Sequence, residues 1–139
     1  MRTLTIALSA AIVIAGCAHN APSGVGARAE AASDEAGLAE ALAGRTAGPP
    51  QECVAMADLG AQRSYGRGVI VFDGRTEDVV YVNRPPVACP GLDAGRALKS
   101  ATTVTRLCRG DIVTVFDPVG GVGVGSCSLG QFVPYRRTR

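Results

Sequence analysis

The stretch CPGLDAGRALKSATTVTRLCRGDIVTVFD, residues 89–117, contains the features that decide the fold. It holds two cysteines, turn-forming Cys-Pro-Gly and Gly-Asp sequences, and the apolar run IVTVF at 112–116. Runs of β-branched and aromatic residues bounded by glycine, proline and aspartate are typical of β-strands. The stretch therefore predicts a disulfide-closed loop that leads into a core strand.

Two further β-branched runs, VIVF at 69–72 and VVYV at 79–82, flank a connection that begins with an Asp-Gly pair. Together they predict a β-hairpin. Because apolar residues fill successive positions, we expect at least one of these strands to be covered on both faces. A weaker segment near 96–102 and a returning segment at 127–135 bring the total to five to six short strands. The predicted fold class is all-β, an open barrel or small sandwich without a substantial helix.

The first sixteen residues have the pattern of a signal peptide, with a basic Arg2, an apolar run and small residues before Cys17. The run 4–14 is too short to span a bilayer, which needs about twenty residues. The tetrad IAGC at 14–17 resembles the lipobox of bacterial lipoproteins, in which the cysteine becomes the lipidated first residue. Ala18 in place of aspartate resembles the signal for outer-membrane sorting. We expect a protein anchored to the outer membrane through Cys17 and facing the periplasm.

Residues 17–50 are rich in alanine, glycine, serine and proline. Such a composition buries little apolar surface, so it predicts a lipidated cysteine followed by a flexible tether. Within it, 33–43 predicts a short helix with Ser33 as its N-cap and Gly44 as its stop. A Gly-Pro-Pro sequence ends the tether, which places the folded domain at 51–139.

Four cysteines remain after Cys17, and an even number in an exported domain predicts two disulfides. A metal site is disfavoured, because the domain has no CxxC pair and the chain's one histidine is His19. Four cysteines allow three pairings. If 112–116 and 126–132 form a hairpin, Cys108 lies beyond the roughly 7 Å Cα separation that a bridge to Cys127 requires. We therefore expect the nested arrangement, with Cys89–Cys108 inside Cys53–Cys127.

Histidine-based catalysis is excluded from the domain by composition, and oxidised thiols cannot act as nucleophiles. A carboxylate pair of the glycosidase type could in principle be formed by four aspartates, Asp73, Asp93, Asp111 and Asp117. Each also has a structural interpretation: turns for Asp73 and Asp117, a strand start for Asp111 and a loop for Asp93. No catalytic residue, cofactor or metal ligand is predicted.

The glycine-rich run 120–126 has GxGxG spacing and is not followed by a helical pattern, so it predicts a hairpin loop rather than a nucleotide site. Nucleic-acid binding is also disfavoured, because aromatic residues do not alternate with a basic stripe. Arg84, Arg106 and Arg109 fall in loops near the cysteines. They could bind a phosphate or a sugar acid, or form salt bridges that order the 89–108 loop.

Three motifs resemble those of a family of small proteobacterial exported proteins and lipoproteins of unknown function. They are CPGL at 89–92, LCRGDI at 107–112 with Asp117 closing the strand, and SCSLGQF at 126–132. The segment VYVNR at 80–84 also resembles the family's pattern. The resemblance covers about residues 50–135 and implies an exported four-cysteine domain. It assigns no activity or ligand.

Three functional hypotheses follow. The first is a lipid-anchored envelope protein without enzymatic activity, which contacts another envelope protein or a polysaccharide. The second is a periplasmic module that binds a small anionic ligand or envelope polysaccharide through Arg84, Arg106 and Arg109. The third is a carboxylate-based hydrolase.

Overall fold

The computed structural model describes residues 24–93, 95–100 and 105–138. The helices are α1 (Gly24–Leu42) and a single 3₁₀ turn at Met56–Asp58. The strands are β1 (Arg45–Ala47), β2 (Cys53–Ala55), β3 (Leu59–Tyr65), β4 (Val69–Gly74), β5 (Val79–Asn83), β6 (Ala97–Ser100), β7 (Arg106–Cys108), β8 (Ile112–Phe116), β9 (Gly123–Ser128) and β10 (Phe132–Arg137).

The largest sheet has five antiparallel strands in the order β1-β10-β5-β4-β3. Successive side chains point to opposite faces of a strand. In β4 and β5 the two faces contribute to different cores. The expectation that one strand is covered on both faces is confirmed for β5, in which every residue is buried.

One face of this sheet packs against a second layer formed by the sheets β6-β8-β9 and β2-β7. The rings of Phe72 and Phe132 lie 5.9 Å apart within this main core. The buried members of the main core are Val54, Ile70, Phe72, Val79, Tyr81, Cys89, Leu92, Leu107, Val113, Val115, Cys127, Leu129 and Phe132. The sheets therefore form a small sandwich held together mainly by aliphatic side chains.

The predicted all-β fold class, with open sheets and two disulfides, is confirmed. The hairpin predicted from 69–72 and 79–82 is β4–β5, and the run 112–116 is β8, which forms a hairpin with β9. Ten strands are described rather than five to six. Three of them have only three residues, too few for a recognisable apolar pattern.

The prediction of no substantial helix is wrong, because α1 is 19 residues long and extends well beyond the predicted 33–43. Leu38 and Leu42 of α1 pack on the outer face of the large sheet. The buried residues of this second core are Val71, Val80 and Val82, and Tyr65, Val69 and Tyr135 border it. The helix is stabilised by an apolar surface that distant parts of the chain provide.

The folded part begins earlier than the predicted residue 51. Gly44 ends the helical segment with a φ of 67°, as expected of a helix stop, and β1 then pairs with β10 at the sheet edge. The predicted tether over 17–50 is therefore too long at its carboxyl end. Cys17 and the predicted signal peptide lie outside the described residues.

The nested disulfide pairing is wrong, and the bridges are Cys53–Cys108 and Cys89–Cys127. β2 pairs with β7 rather than with the last strand, which places Cys53 directly opposite Cys108 at a Cα separation of 4.0 Å. Cys127 lies in β9 opposite Val113 and bonds to the fully buried Cys89. The exclusion of a Cys108–Cys127 bridge is consistent with this arrangement.

Among the described residues, no helix is both long and apolar enough to span a membrane.

Candidate functional site

A hollow of about 730 Å³ lies between the carboxyl-terminal half of α1 and the outer face of the large sheet. We call it the helix cleft. Its charged lining residues are Glu40 of α1, Arg45, Arg63, Asp73, Arg75, Glu77 and Arg137. Its other lining residues are Gly37, Ala41, Tyr65, Gly74, Thr76, Val79 and Val80. Four arginines therefore face three carboxylates.

Strand register places the arginines in this cleft. Tyr135 pairs with Val80, and both belong to the second core under α1. Arg137 follows Tyr135 by two residues, so it projects from the same face. Arg45 lies directly opposite Arg137 on β1. The two guanidinium groups are therefore neighbours at the sheet edge, just beyond the apolar contacts of the helix.

Arg45 and Arg137 converge on one acceptor, the backbone carbonyl of Glu77. Nη2 of Arg45 donates to this oxygen at 2.8 Å and Nε of Arg137 at 3.4 Å. Nη1 of Arg45 is buried and has no hydrogen-bond partner among the described residues. A buried donor without an acceptor is destabilising by about 1–3 kcal/mol, and more when it is charged. Among the described residues, neither Arg45 nor Arg137 forms an ion pair with a carboxylate.

The far side of the cleft contains an ion pair between Arg63 of β3 and Asp73 of β4. Arg63 pairs with Val71 and Asp73 with Val80 in the sheet register, which places both on the helix side. Their side chains are 53% and 38% exposed, so solvent screens the pair and it adds little stability. Arg63 thus has a carboxylate partner, whereas Arg45 has only a shared carbonyl.

The predicted ligand residues Arg84, Arg106 and Arg109 are all exposed. Arg84 lines a separate hollow of about 230 Å³, of which neither Arg106 nor Arg109 is a lining residue. Arg109 lies 3.6 Å from the carboxylate of Glu52, so it links the turn after β7 to the start of β2. The anion-site hypothesis for these three arginines remains a prediction.

Arg96, which the sequence analysis does not single out, forms two ion pairs in the loop after Cys89. Its guanidinium lies 3.4 Å from a carboxylate oxygen of Asp93 and 3.4 Å from one of Asp117. Arg96 thereby connects the loop before β6 to the end of β8.

The four candidate aspartates each bond to protein groups. Oδ2 of Asp111 accepts from the backbone N–H of Cys108 at 2.8 Å, and Asp93 pairs with Arg96. The turn interpretation of Asp73 is wrong, because Asp73 lies within β4 and pairs with Arg63. These contacts are those of carboxylates that stabilise turns and strands.

The turn interpretation of Asp117 is confirmed. Its Oδ1 accepts from the backbone N–H groups of Val119 at 2.9 Å and Gly120 at 3.4 Å. These two donors, with a further contribution from Arg96, hold the pKa of Asp117 below its ordinary value.

In the described part of the chain, no group of three or more histidine, cysteine, aspartate or glutamate residues is placed to hold a metal ion. No family model, curated protein or solved structure matches the chain.

Sequence reasoning missed the helix cleft for identifiable reasons. Arg45 falls within the predicted tether, and Arg137 lies in no motif. Arg63 and Arg75 had no motif around them. Only the pairing of β1 with β10 and the docking of α1 bring these residues to one surface.

Proposed function

We propose that the chain is a lipid-anchored protein of the outer membrane, facing the periplasm, which binds an anionic envelope component without catalysing a reaction. The observation that carries this proposal is the position of Arg45 directly opposite Arg137 in the cleft, where both guanidinium groups share one neutral acceptor, the carbonyl of Glu77. An anionic group in the cleft would balance the charge of these two guanidinium groups.

The location within the cell rests on the sequence. The apolar run before Cys17 and the tetrad at 14–17 support lipidation and export. Two disulfides are typical of a domain that matures in an oxidising compartment.

Binding is favoured over catalysis by the state of the ionisable groups. Residues 51–139 contain no histidine, and the cysteines that could act as nucleophiles are bonded to one another. The four candidate aspartates are held by backbone N–H groups or by arginine.

Contact with another envelope protein is the second candidate function, and exposed apolar side chains support it. Val119 and Val122, in the connection between β8 and β9, are 96% and 62% exposed. Large apolar side chains exposed near one another are typical of protein-contact surfaces.

Site-specific photocrosslinking in intact cells separates the two candidates. A photoreactive amino acid at Thr76 probes the helix cleft, one at Val119 probes the β8–β9 connection, and one at the exposed Ala57 is the matched control. We expect an envelope component to be captured from position 76, and this capture to be lost in the Arg45→Ala, Arg137→Ala double variant. Capture from position 119 alone would favour the protein-contact function. Equal capture from all three positions would contradict both.

A further inference from the structure

We propose that the helix cleft recognises a sugar that carries a single oxyanion, either a phosphate or a carboxylate, with the oxyanion held by Arg45 and Arg137. This inference names the ligand class for the binding function proposed above and rests on it.

The two arginines define the oxyanion position. Like charges directly opposite each other on neighbouring strands are destabilising. Arg45 and Arg137 occupy such a pair and share one neutral acceptor, the carbonyl of Glu77. A guanidinium group has five N–H donors, and its planar fork matches the oxygen spacing of carboxylates and phosphates. An oxyanion between the two would offset their repulsion and accept from donors that the carbonyl leaves unused.

The volume of the cleft indicates a ligand larger than an inorganic ion. Small-molecule sites typically occupy about 300–1,000 Å³, and a water-sized group needs only about 30 Å³. At about 730 Å³ the helix cleft has room for an oxyanion together with the body that carries it.

The remaining lining residues indicate a polyhydroxylated body. Glu40, Asp73 and Glu77 offer carboxylate acceptors for hydroxyl groups, and Thr76 can donate or accept. Tyr65 and Ala41, which are only partly buried, supply apolar surface for the C–H face of a sugar ring. The same carboxylates would repel a ligand with many negative charges. A neutral, hydroxyl-rich ligand with one oxyanion can bind the two arginines and donate hydrogen bonds to the carboxylates. Its single charge keeps the repulsion from those carboxylates small.

Isothermal titration calorimetry with the full chain tests the ligand class using four probes: glucose 6-phosphate, glucuronate, glucose and inorganic phosphate. We expect the two charged sugars to bind, the affinity of each to fall with added salt, and glucose to bind at least about tenfold more weakly. The charged sugar that binds with the higher affinity then shows whether the cleft prefers a phosphate or a carboxylate. Binding of glucose as tight as that of the charged sugars would overturn the assignment of the oxyanion. Inorganic phosphate binding as tightly as glucose 6-phosphate would overturn the assignment of the sugar.

Substitutions test whether the charged sugars bind at Arg45 and Arg137. In the Arg45→Ala, Arg137→Ala variant we expect affinity for the charged sugars to fall by about tenfold or more. The matched control, Arg67→Ala with Arg136→Ala, removes the same charge from exposed arginines that belong neither to the cleft nor to the predicted anion site, and should bind normally. Arg45→Lys keeps the charge without the planar fork and should also weaken binding, which guards against a folding defect in the double variant. Equal affinity in all variants would overturn the site.

The outcomes also separate this inference from the function on which it rests. Failure of both charged sugars, combined with arginine-dependent crosslinking from position 76, would overturn the ligand class and leave the binding function in place. Failure of both experiments would overturn both proposals.

Discussion

The side chain of Asn83 and the backbone of Gly130 exchange two hydrogen bonds in the interior of the protein. Nδ2 of Asn83 donates to the carbonyl of Gly130 at 2.8 Å, and the N–H of Gly130 donates to Oδ1 of Asn83 at 2.9 Å. Asn83 is fully buried at the end of β5, and Gly130 lies between β9 and β10. The pair thus fixes the turn through which the chain passes from the small sheet to the large one.

Replacing Asn83 with alanine should leave the N–H and carbonyl of Gly130 buried without partners. We expect Asn83→Ala to lower the free energy of unfolding by about 3 kcal/mol, measured by chemical denaturation. The control is Gln131→Ala, which removes an exposed hydrogen bond to Glu52 and should change stability by less than about 0.5 kcal/mol. Equal effects of the two substitutions would show that the Asn83 contacts are not structural.

Gly130 is required for a close approach of two backbone segments. A Cβ at this position would collide with the carbonyl oxygen of Arg84, a backbone atom that cannot move aside independently. We expect Gly130→Ala to be at least as destabilising as Asn83→Ala in the same denaturation measurement. Gly68→Ala is the matched control, because its Cβ would meet nothing within 4 Å, and it should leave the protein folded and about as stable.

The disulfide pairing can be read directly from peptides of the unreduced protein. Cleavage after arginine and lysine should yield one linked pair from 46–63 and 107–109, and another from 76–96 and 110–136. A linked pair from 46–63 and 110–136 would restore the nested arrangement. In the chain-entropy model each bridge stabilises the fold by about 4 kcal/mol, so replacing either pair of cysteines with alanine should lower the denaturation midpoint substantially.

The docking of α1 depends on a close contact between Gly37 and Tyr65. A Cβ at Gly37 would lie 2.9 Å from Cε1 of Tyr65, so a larger side chain should push the helix away from β3. We expect Gly37→Val to increase amide hydrogen exchange across α1, because most of the stability of a helix in a protein comes from its tertiary packing. Gly26→Val introduces the same β-branched residue where the Cβ meets nothing within 4 Å, and should leave the exchange of Leu38 and Leu42 unchanged.

The lowered pKa of Asp117 implies a pH-dependent contribution to stability. A carboxylate whose pKa is depressed in the folded state stabilises the protein above its unfolded pKa, and this contribution disappears as the pH falls through the folded value. We expect Asp117→Asn to lower the melting temperature modestly at neutral pH. The difference from the unmodified protein should shrink as the pH falls below the ordinary value of 3.8. A difference that is independent of pH would indicate that the charge of Asp117 does not stabilise the turn.

The helix cleft is the clearest example of a feature that could not be predicted from the sequence. The core strands were predictable because their β-branched runs are dense enough to require burial whatever their neighbours are. The cleft was not predictable, because Arg45 and Arg137 are separated by almost the whole domain and become neighbours only through pairing at the sheet edge. The predicted disulfide pairing is wrong for the same reason, since the pairing depends on which strand β2 joins in the sheet.

The sequence by itself determined the local properties of this protein: the all-β class, the β4–β5 and β8–β9 hairpins, the turn at Asp117 and the presence of two disulfides. Each follows from residues close together in the chain, where apolar periodicity, turn chemistry and cysteine number act directly. The tertiary structure decided that β1 and the part of α1 around Leu38 and Leu42 belong to the fold, which cysteines are bonded and which arginines share a surface. These depend on long-range strand pairing. The alanine-rich helix has few apolar side chains of its own, and it docks because Val71, Val80 and Val82 form the apolar face that receives it.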